Sequence, residues 1–240
     1  MSQFMFSCQS IKYLNLSLST TIGRMILTQS LDLPELTYCH LKEVRFLGNN
    51  INGCVDPFSS CKKLTTLILE SCKILGKTKL IVSNASLSKL IIQFGPFFIY
   101  QFQIQINTPN LKSFTFAGRF SSINHTNPIF ENNFQFLEEV DLELWFPKPS
   151  KEIAETLMSW LKRFKNVYSM TLASPTLAVF SSMPNFPKVE DVCFENMESV
   201  LIKIDPFEYK FPKEVLTYLL KNSRCNEIIT TFAGFGTTVG

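Results

Sequence analysis

The chain has 240 residues, 45% apolar and 13% aromatic, with 23 Phe, and carries a formal net charge of +3. This composition supplies a continuous, aromatic-rich core and excludes a disordered chain. The charge is too small and too dispersed for nucleic-acid binding as the primary role, and no apolar run approaches the roughly 18 residues that a membrane span needs.

In chain order, an apolar stencil L-x-x-L-x-L, with Ile, Val, Phe or Met substituting, recurs eight times. It falls on Ile11/Leu14/Leu16, Leu41/Val44/Phe46, Leu64/Leu67/Leu69, Leu87/Leu90/Ile92, Leu111/Phe114/Phe116, Leu137/Val140/Leu142, Val167/Met170/Leu172 and Val189/Val192/Phe194. Successive starts lie 30, 23, 23, 24, 26, 30 and 22 residues apart, and most of these intervals fall in the range of about 20–29 residues typical of leucine-rich repeats. Ile22, Met25 and Leu27 are left over in the long first interval as irregular structure. The Asn or Cys that closes the leucine-rich pattern is present only as Asn49 and Cys72, so the repeats are irregular. Within each stencil the apolar positions alternate with polar ones, the period of a strand with one buried face, and no single repeat can bury that face alone. The fold class expected is therefore α/β: a leucine-rich-repeat solenoid with a curved parallel sheet over residues 1–199. The alternating run Phe98, Tyr100, Phe102, Ile104, Ile106 predicts one further strand on the outer side of the coil.

After residue 145 the pattern changes. Pro147, Pro149 and Ser150 precede Ile153, Leu157, Trp160, Leu161 and Phe164 at helical spacing, which predicts a helix inserted near 150–165 with Ser150 as its N-cap. Lys162, Arg163 and Lys165 suit the end of that helix. A second helix opens near Pro212, carries Val215, Leu216, Leu219 and Leu220, and ends around Asn222; Glu227 to Phe232 then reads as a closing strand.

Chemistry-bearing constellations are absent from the pattern. His40 and His125 are the only histidines, too few for a His-based triad or a His-rich metal site. The adjacent Cys39 and His40 lack further spaced partners and read as loop residues. Gly76-Lys77-Thr78 ends like a phosphate-binding loop, but Ser71 stands where that loop needs glycine. A non-enzymatic protein without cofactor or metal is expected. Seven cysteines, at 8, 39, 54, 61, 72, 193 and 225, form no C-x-x-C pair and read as reduced thiols of a cytoplasmic or nuclear protein. Sequons at Asn15, Asn84 and Asn124 have no secretory signal before them and read as chance.

The run Cys61-Lys62-Lys63-Leu64-Thr65-Thr66-Leu67-Ile68-Leu69-Glu70-Ser71-Cys72 resembles the C-x-x-L-x-x-L-x-L-x-x-C unit of plant F-box proteins with leucine-rich repeats. Val200 to Ile204, Lys213 to Ser223 and Glu227 to Thr231 are similar to the strand, helix and strand of the FBD region that closes many of them, which implies an FBD-like part over residues 200–240. In that family an F-box docks on a Skp adaptor while the repeats hold a substrate for ubiquitination by a cullin-RING ligase. The resemblance thus implies a substrate-recognition module with a protein partner, and a Skp adaptor and cullin only where an F-box lies upstream. Met1 stands ten residues before the first stencil, which leaves no room for an F-box. The chain is then either a fragment of such a receptor, or a free-standing scaffold or decayed gene product without a ligase link.

In a horseshoe the non-core stencil positions line the concave face. There Lys12, Lys42, Arg45, Lys89 and Lys112 make the early part basic, apart from Glu43 and Glu70. Glu138, Glu139, Asp141, Glu143, Glu190, Asp191 and Glu195 make the late part acidic. Ile68 and Ile91 fall on equivalent exposed positions in adjacent repeats. The expected partner-binding residues are accordingly Lys42, Arg45, Ile68, Ile91, Lys112, Glu138, Glu139, Asp141, Glu190 and Asp191. A partner's basic segment would meet the acidic end, with an apolar group on the two isoleucines.

Overall fold

The computed structural model describes residues 8–17, 25–48, 53–75, 79–94, 103–119, 128–146, 148–182, 194–204, 213–221 and 223–232. The fold is α/β, with parallel sheets and, among the described residues, three helices. The chain forms two compact units, residues 1–137 and 138–240. The expected boundary at 199/200 falls at the start of a strand inside the second unit.

The first unit runs through β1 (Tyr13–Ser17), β2 (Ile26–Leu27), β3 (Tyr38–Lys42), β4 (Arg45–Phe46), β5 (Cys54–Val55) and β6 (Thr66–Glu70). It continues with β7 (Lys73–Ile74), β8 (Lys79–Ser83), β9 (Lys89–Gln93), β10 (Gln103–Asn107), β11 (Ser113–Arg119) and β12 (Pro128–Phe130). These strands form three parallel sheets that the chain visits in turn. The first contains β1, β3, β6, β9 and β11, paired in that order. The second contains β2, β4 and β7, and the third β5, β8, β10 and β12. In the first sheet buried residues alternate with outward ones, so Leu67 and Leu69 point into the core and Thr66, Ile68 and Glu70 away from it.

One hydrogen-bond pattern recurs at each entry into the first sheet. The N–H groups of Thr37 and Tyr38 both donate to the Lys12 carbonyl, those of Thr65 and Thr66 to Thr37, those of Ser88 and Lys89 to Thr65, and those of Lys112 and Ser113 to Ser88, all at 2.8–3.1 Å. The hydroxyls of Thr37, Thr65 and Ser88 add a further bond to the same carbonyls at 3.0–3.1 Å. The second unit repeats the motif, with Tyr168 and Ser169 donating to the Glu138 carbonyl and Glu198 and Ser199 to that of Tyr168. At the strand exits, where the stencil places its scarce Asn and Cys, the N–H groups of Glu43, Ser71 and Phe94 donate to the carbonyls of Glu70, Gln93 and Ala117 at 2.7–2.9 Å, so backbone groups supply the partners there.

Two stencils require correction. Leu14 and Leu16 stand opposite Cys39 and Leu41, not Val44 and Phe46, so the second repeat reads Leu36/Cys39/Leu41. Val44 and Phe46 are buried at β4 and its approach, one sheet further along. The eighth strand is built on Met197, Val200 and Ile202; Phe194 precedes it, buried, and Val189 and Val192 lie outside the described residues. The alternating run near residue 100 is described from Gln103 onward. It forms the expected further strand, β10 of the third sheet, with Ile104 and Ile106 in the core.

Aromatic rings fill the first unit. Phe94, Phe116, Phe114, Phe130 and Phe134 form a chain of ring contacts with centroids 5.2–6.2 Å apart, mostly edge-to-face. Phe94 approaches so closely that a Cβ on Gly118, which has φ of +151°, would lie 2.7 Å from its own Cβ. Asn84 is buried at a corner, where its Nδ2 donates to the carbonyls of Phe58 (3.0 Å) and Cys61 (2.9 Å) and its Oδ1 accepts from the Ser86 N–H (2.9 Å). With both amide hydrogens engaged, this sequon asparagine serves the fold and offers no free nitrogen to a glycan. Asn84→Ala strands all three backbone groups and should lower the unfolding free energy by about 2 kcal/mol, read from urea denaturation.

The second unit contains β13 (Glu139–Trp145), α1 (Lys151–Arg163), β14 (Ser169–Ala173), α2 (Ser174–Phe180), β15 (Ser199–Ile204), α3 (Lys213–Leu220) and β16 (Glu227–Phe232). Its four strands form one parallel run, β13-β14-β15-β16. Helix α1 begins as its sequence predicts, with the Ser150 hydroxyl accepting from the Ile153 N–H at 3.3 Å and Ile153, Leu157, Trp160 and Leu161 buried. Lys162 and Arg163 occupy its last turn, where the helix dipole favours positive charge. Helix α2, absent from the sequence reading, packs on β13, β14 and β15. Its buried Thr176 bridges to β13: Oγ1 accepts from the Leu144 N–H at 2.9 Å and lies 3.0–3.1 Å from the carbonyls of Leu142 and Leu144. Strand β16 and helix α3 appear where expected. No helix among the described residues is long and apolar enough to cross a membrane.

Candidate protein-interaction face

The outward side of the first sheet in the first unit presents three rows of registered residues. Tyr13, Tyr38, Thr66, Lys89 and Ser113 form one; Asn15, His40, Ile68, Ile91 and Thr115 the next; Ser17, Lys42, Glu70, Gln93 and Ala117 the third. All described helices belong to the second unit, so within the first unit no described helix covers this face. Ile68 and Ile91 are Cα partners in adjacent strands and are half-buried. Tyr13, 75% exposed, lies against Tyr38 with ring centroids 6.3 Å apart. The face therefore carries an aromatic pair and an aliphatic pair side by side.

Its charge is arranged around Glu70. Lys42 Nζ lies 2.6 Å from Oε1 of Glu70 and His40 Nε2 lies 3.2 Å from Oε2. The bond and charge of Glu70 hold the Lys42 ammonium above the ordinary lysine range. Lys42, proposed from the sequence as a free basic contact, is thus engaged by the next strand. Arg45, placed on the same face by the sequence, belongs instead to β4 in the second sheet, because the second stencil is displaced from the strand. Lys112 is exposed just before β11. Tyr13, Tyr38 and His40 escaped the sequence reading; once β3 is placed at Tyr38–Lys42, alternation alone assigns the last two to this face.

The acidic candidates belong to the second unit. Glu138 and Glu139 are exposed, whereas Asp141 is half-buried; Glu190 and Asp191 lie outside the described residues. Lys203 of β15 reaches across β14 to Asp141 Oδ2 at 3.1 Å and also contacts Glu143 Oε1. The other oxygen of Asp141, Oδ1, is buried without a hydrogen-bond partner among the described residues. Burial, reinforced by the neighbouring Glu143, pushes the Asp141 carboxyl up to about 6 against the pull of Lys203. Burial opposes the charge of Lys203, but its contacts with Glu143 and Asp141 prevail and hold its ammonium above the ordinary range. Two of the acids expected to attract a basic partner are therefore neutralised internally.

Cys39 and His40 occupy consecutive positions of β3 and so point to opposite sides of the sheet, which prevents them from acting together on one ion. Cys39, Cys61 and Cys72 are buried, and burial raises all three thiols, Cys72 to about 12. The Cys61 and Cys72 thiols donate to the carbonyls of Leu31 and Leu41 at 3.6 and 3.2 Å. These are core groups, too protonated to be nucleophiles. The Gly76-Lys77-Thr78 tripeptide lies outside the described residues.

Comparison of the chain with family models, with curated proteins and with solved structures finds no match.

Proposed function

We propose that this chain is a non-enzymatic protein-interaction module, built as an irregular leucine-rich-repeat solenoid, whose contact face is the outward side of the first sheet. The observation that carries this reading is the pairing of Ile68 with Ile91 beside Tyr13 and Tyr38 on a face that no described helix of the same unit covers. Contiguous exposed apolar groups within a polar surround mark contact sites more often than isolated ones do. The resemblance of Cys61–Cys72 and of the 200–231 region to plant F-box proteins with leucine-rich repeats favours the substrate-recognition part of a cullin-RING ubiquitin ligase.

The test is capture from plant extract at physiological salt, read by mass spectrometry, with the wild-type chain beside an Ile68→Glu/Ile91→Glu chain whose urea midpoint confirms that it is folded. Retained proteins should fall by about tenfold or more with the double variant; equal retention would remove the face from the proposal. A Skp adaptor and cullin among the retained proteins would support the ligase reading. Partners without the adaptor would favour a free-standing scaffold.

A further inference from the structure

The last strand of the second unit has an open side. Among the described residues β16 ends its sheet, and all of its residues but Thr231 are exposed. Ile228 and Thr230 continue the face on which their register partners Val200 and Ile202 are buried, yet Ile228 is 52% exposed, and Phe232 on the same face 76%. The backbone of this edge is open as well. The Ser199 N–H bonds the Tyr168 carbonyl, on the β14 side, so by alternation Val200 and Ile202 direct their backbone groups to β16. In the parallel register these serve Glu227, Ile229 and Thr231. The N–H and C=O groups of Ile228, Thr230 and Phe232 therefore face out from the sheet edge. Natural edges are blunted by Lys, Pro or a bulge; β16 carries none of these, and its one charge is Glu227 at its start.

We infer that β16 pairs antiparallel with β16 of a second copy of this chain, about a two-fold axis at Thr230, to give a reversible dimer. An axis normal to the sheet keeps both faces continuous across the pair and allows only registers centred on a residue. With Thr230 on the axis, Ile228 lies opposite Phe232 of the second copy, and every open-edge residue of the strand finds a backbone partner. The exposed apolar groups of the core side then cover each other, while Ile229 meets Thr231 of the second copy on the opposite side. Centring on Ile229 or Thr231 would leave Phe232 or Ile228 with no opposite residue inside the strand. Charge selects the direction. The two Glu227 carboxylates end up roughly 20 Å apart along the ribbon, whereas in-register parallel pairing would set them side by side. The other outer strand, β1, has less to offer this edge, because its core residues Leu14 and Leu16 are already buried. A ribbon of this length covers less than the roughly 1,000 Å² of a stable interface, so the dimer is weak and exchanges. The inference is independent of the face proposed above, which belongs to the first unit.

The experiment is sedimentation velocity of the full chain, with thiols kept reduced, from about 1 to about 200 μM. A monomer–dimer equilibrium with a midpoint on the order of tens of micromolar is expected. Thr230→Pro removes an N–H that makes no bond in the chain's own ladder, so it should keep the wild-type unfolding midpoint and weaken the dimer about tenfold or more. Ile228→Lys and Phe232→Glu should each weaken it several-fold. Their mixture should recover a heterodimer, because the new ammonium and carboxylate then face each other across the ribbon. The wild-type chain gives a second reading that needs no variant. The amide protons of Ile228, Thr230 and Phe232 should exchange more slowly as concentration rises, while those of Ile229 and Thr231 stay protected throughout. A monomer at about 200 μM, a dimer indifferent to Thr230→Pro, a mixture no tighter than its parts, or equal concentration dependence of both sets of amides would overturn the inference. So would growth beyond the dimer, which would mark head-to-tail joining of β16 to β1 of the next copy.

Discussion

Phe114→Ala should lower the unfolding free energy by about 3–5 kcal/mol, the largest effect expected of any single substitution in the first unit. Phe114 is fully buried on β11, its ring stacked on Phe116 at 6.2 Å and edge-on to Phe130 at 5.6 Å. Truncation removes the transfer energy of the ring and leaves a cavity lined by other rings, which are too rigid to collapse into it. Each lost aromatic pair adds about 0.5–1.5 kcal/mol. Phe114→Leu keeps much of the volume but still loses both ring pairs, and should cost about 1–3 kcal/mol. Urea denaturation distinguishes these outcomes, and a loss below about 1 kcal/mol for the alanine variant would contradict the packing described.

Lys203→Met should destabilise the second unit by about 2–3 kcal/mol at pH 7, below the 3–5 kcal/mol of a fully buried pair because about a quarter of each side chain remains exposed. The loss should shrink in acid. The Asp141 carboxyl titrates near 6 in the folded protein against an ordinary value of 3.8, so its ionised form is the one that folding disfavours. The folded state then binds more protons than the unfolded state between those values, and stability rises as pH falls from about 7 to about 4. Without Lys203 this rise is steeper, because nothing offsets the charge of Asp141 at neutral pH. Thermal unfolding of both proteins at pH 7 and pH 4.5 would test it: the difference between them should narrow at the lower pH, and a constant difference would show that Lys203 does not compensate Asp141.

The strands whose stencil is purely aliphatic or aromatic were legible in the sequence, because Leu64/Leu67/Leu69, Leu87/Leu90/Ile92 and Leu111/Phe114/Phe116 place buried residues at a period no other element produces. The reading slipped where Cys39 stands in the middle of the stencil. Cysteine packs as a small apolar residue, so Leu36/Cys39/Leu41 is as good a core strip as its neighbours, yet a pattern written for larger side chains passes over it. That slip moved Arg45 onto the wrong sheet and hid Tyr38 and His40.

The two-residue strands β2, β4, β5 and β7 are too short to show any period. Helix α2 is buried on nearly every side and has no amphipathic contrast; its one sequence signal is Pro175 in the first turn. The role of Lys203 was not legible because Val200 to Ile204, although expected as a strand, was assigned to a separate part after residue 199, away from the strand that holds Asp141 and Glu143. In contrast, the adjacency of Ile68 and Ile91 follows directly from two well-formed stencils, and their Cα pairing agrees with it.

The central claim, that partners are held on the outward face of the first sheet, is tested most directly by site-specific photo-crosslinking. Photoreactive benzoylphenylalanine would replace Ile68, Ile91 or, as the comparison, Ile129, which is 43% exposed on β12 of the third sheet. Irradiation in plant extract should give the same covalent adducts from positions 68 and 91 and none of them from position 129. Adducts formed equally from all three positions, or from position 129 alone, would contradict the assignment of this face.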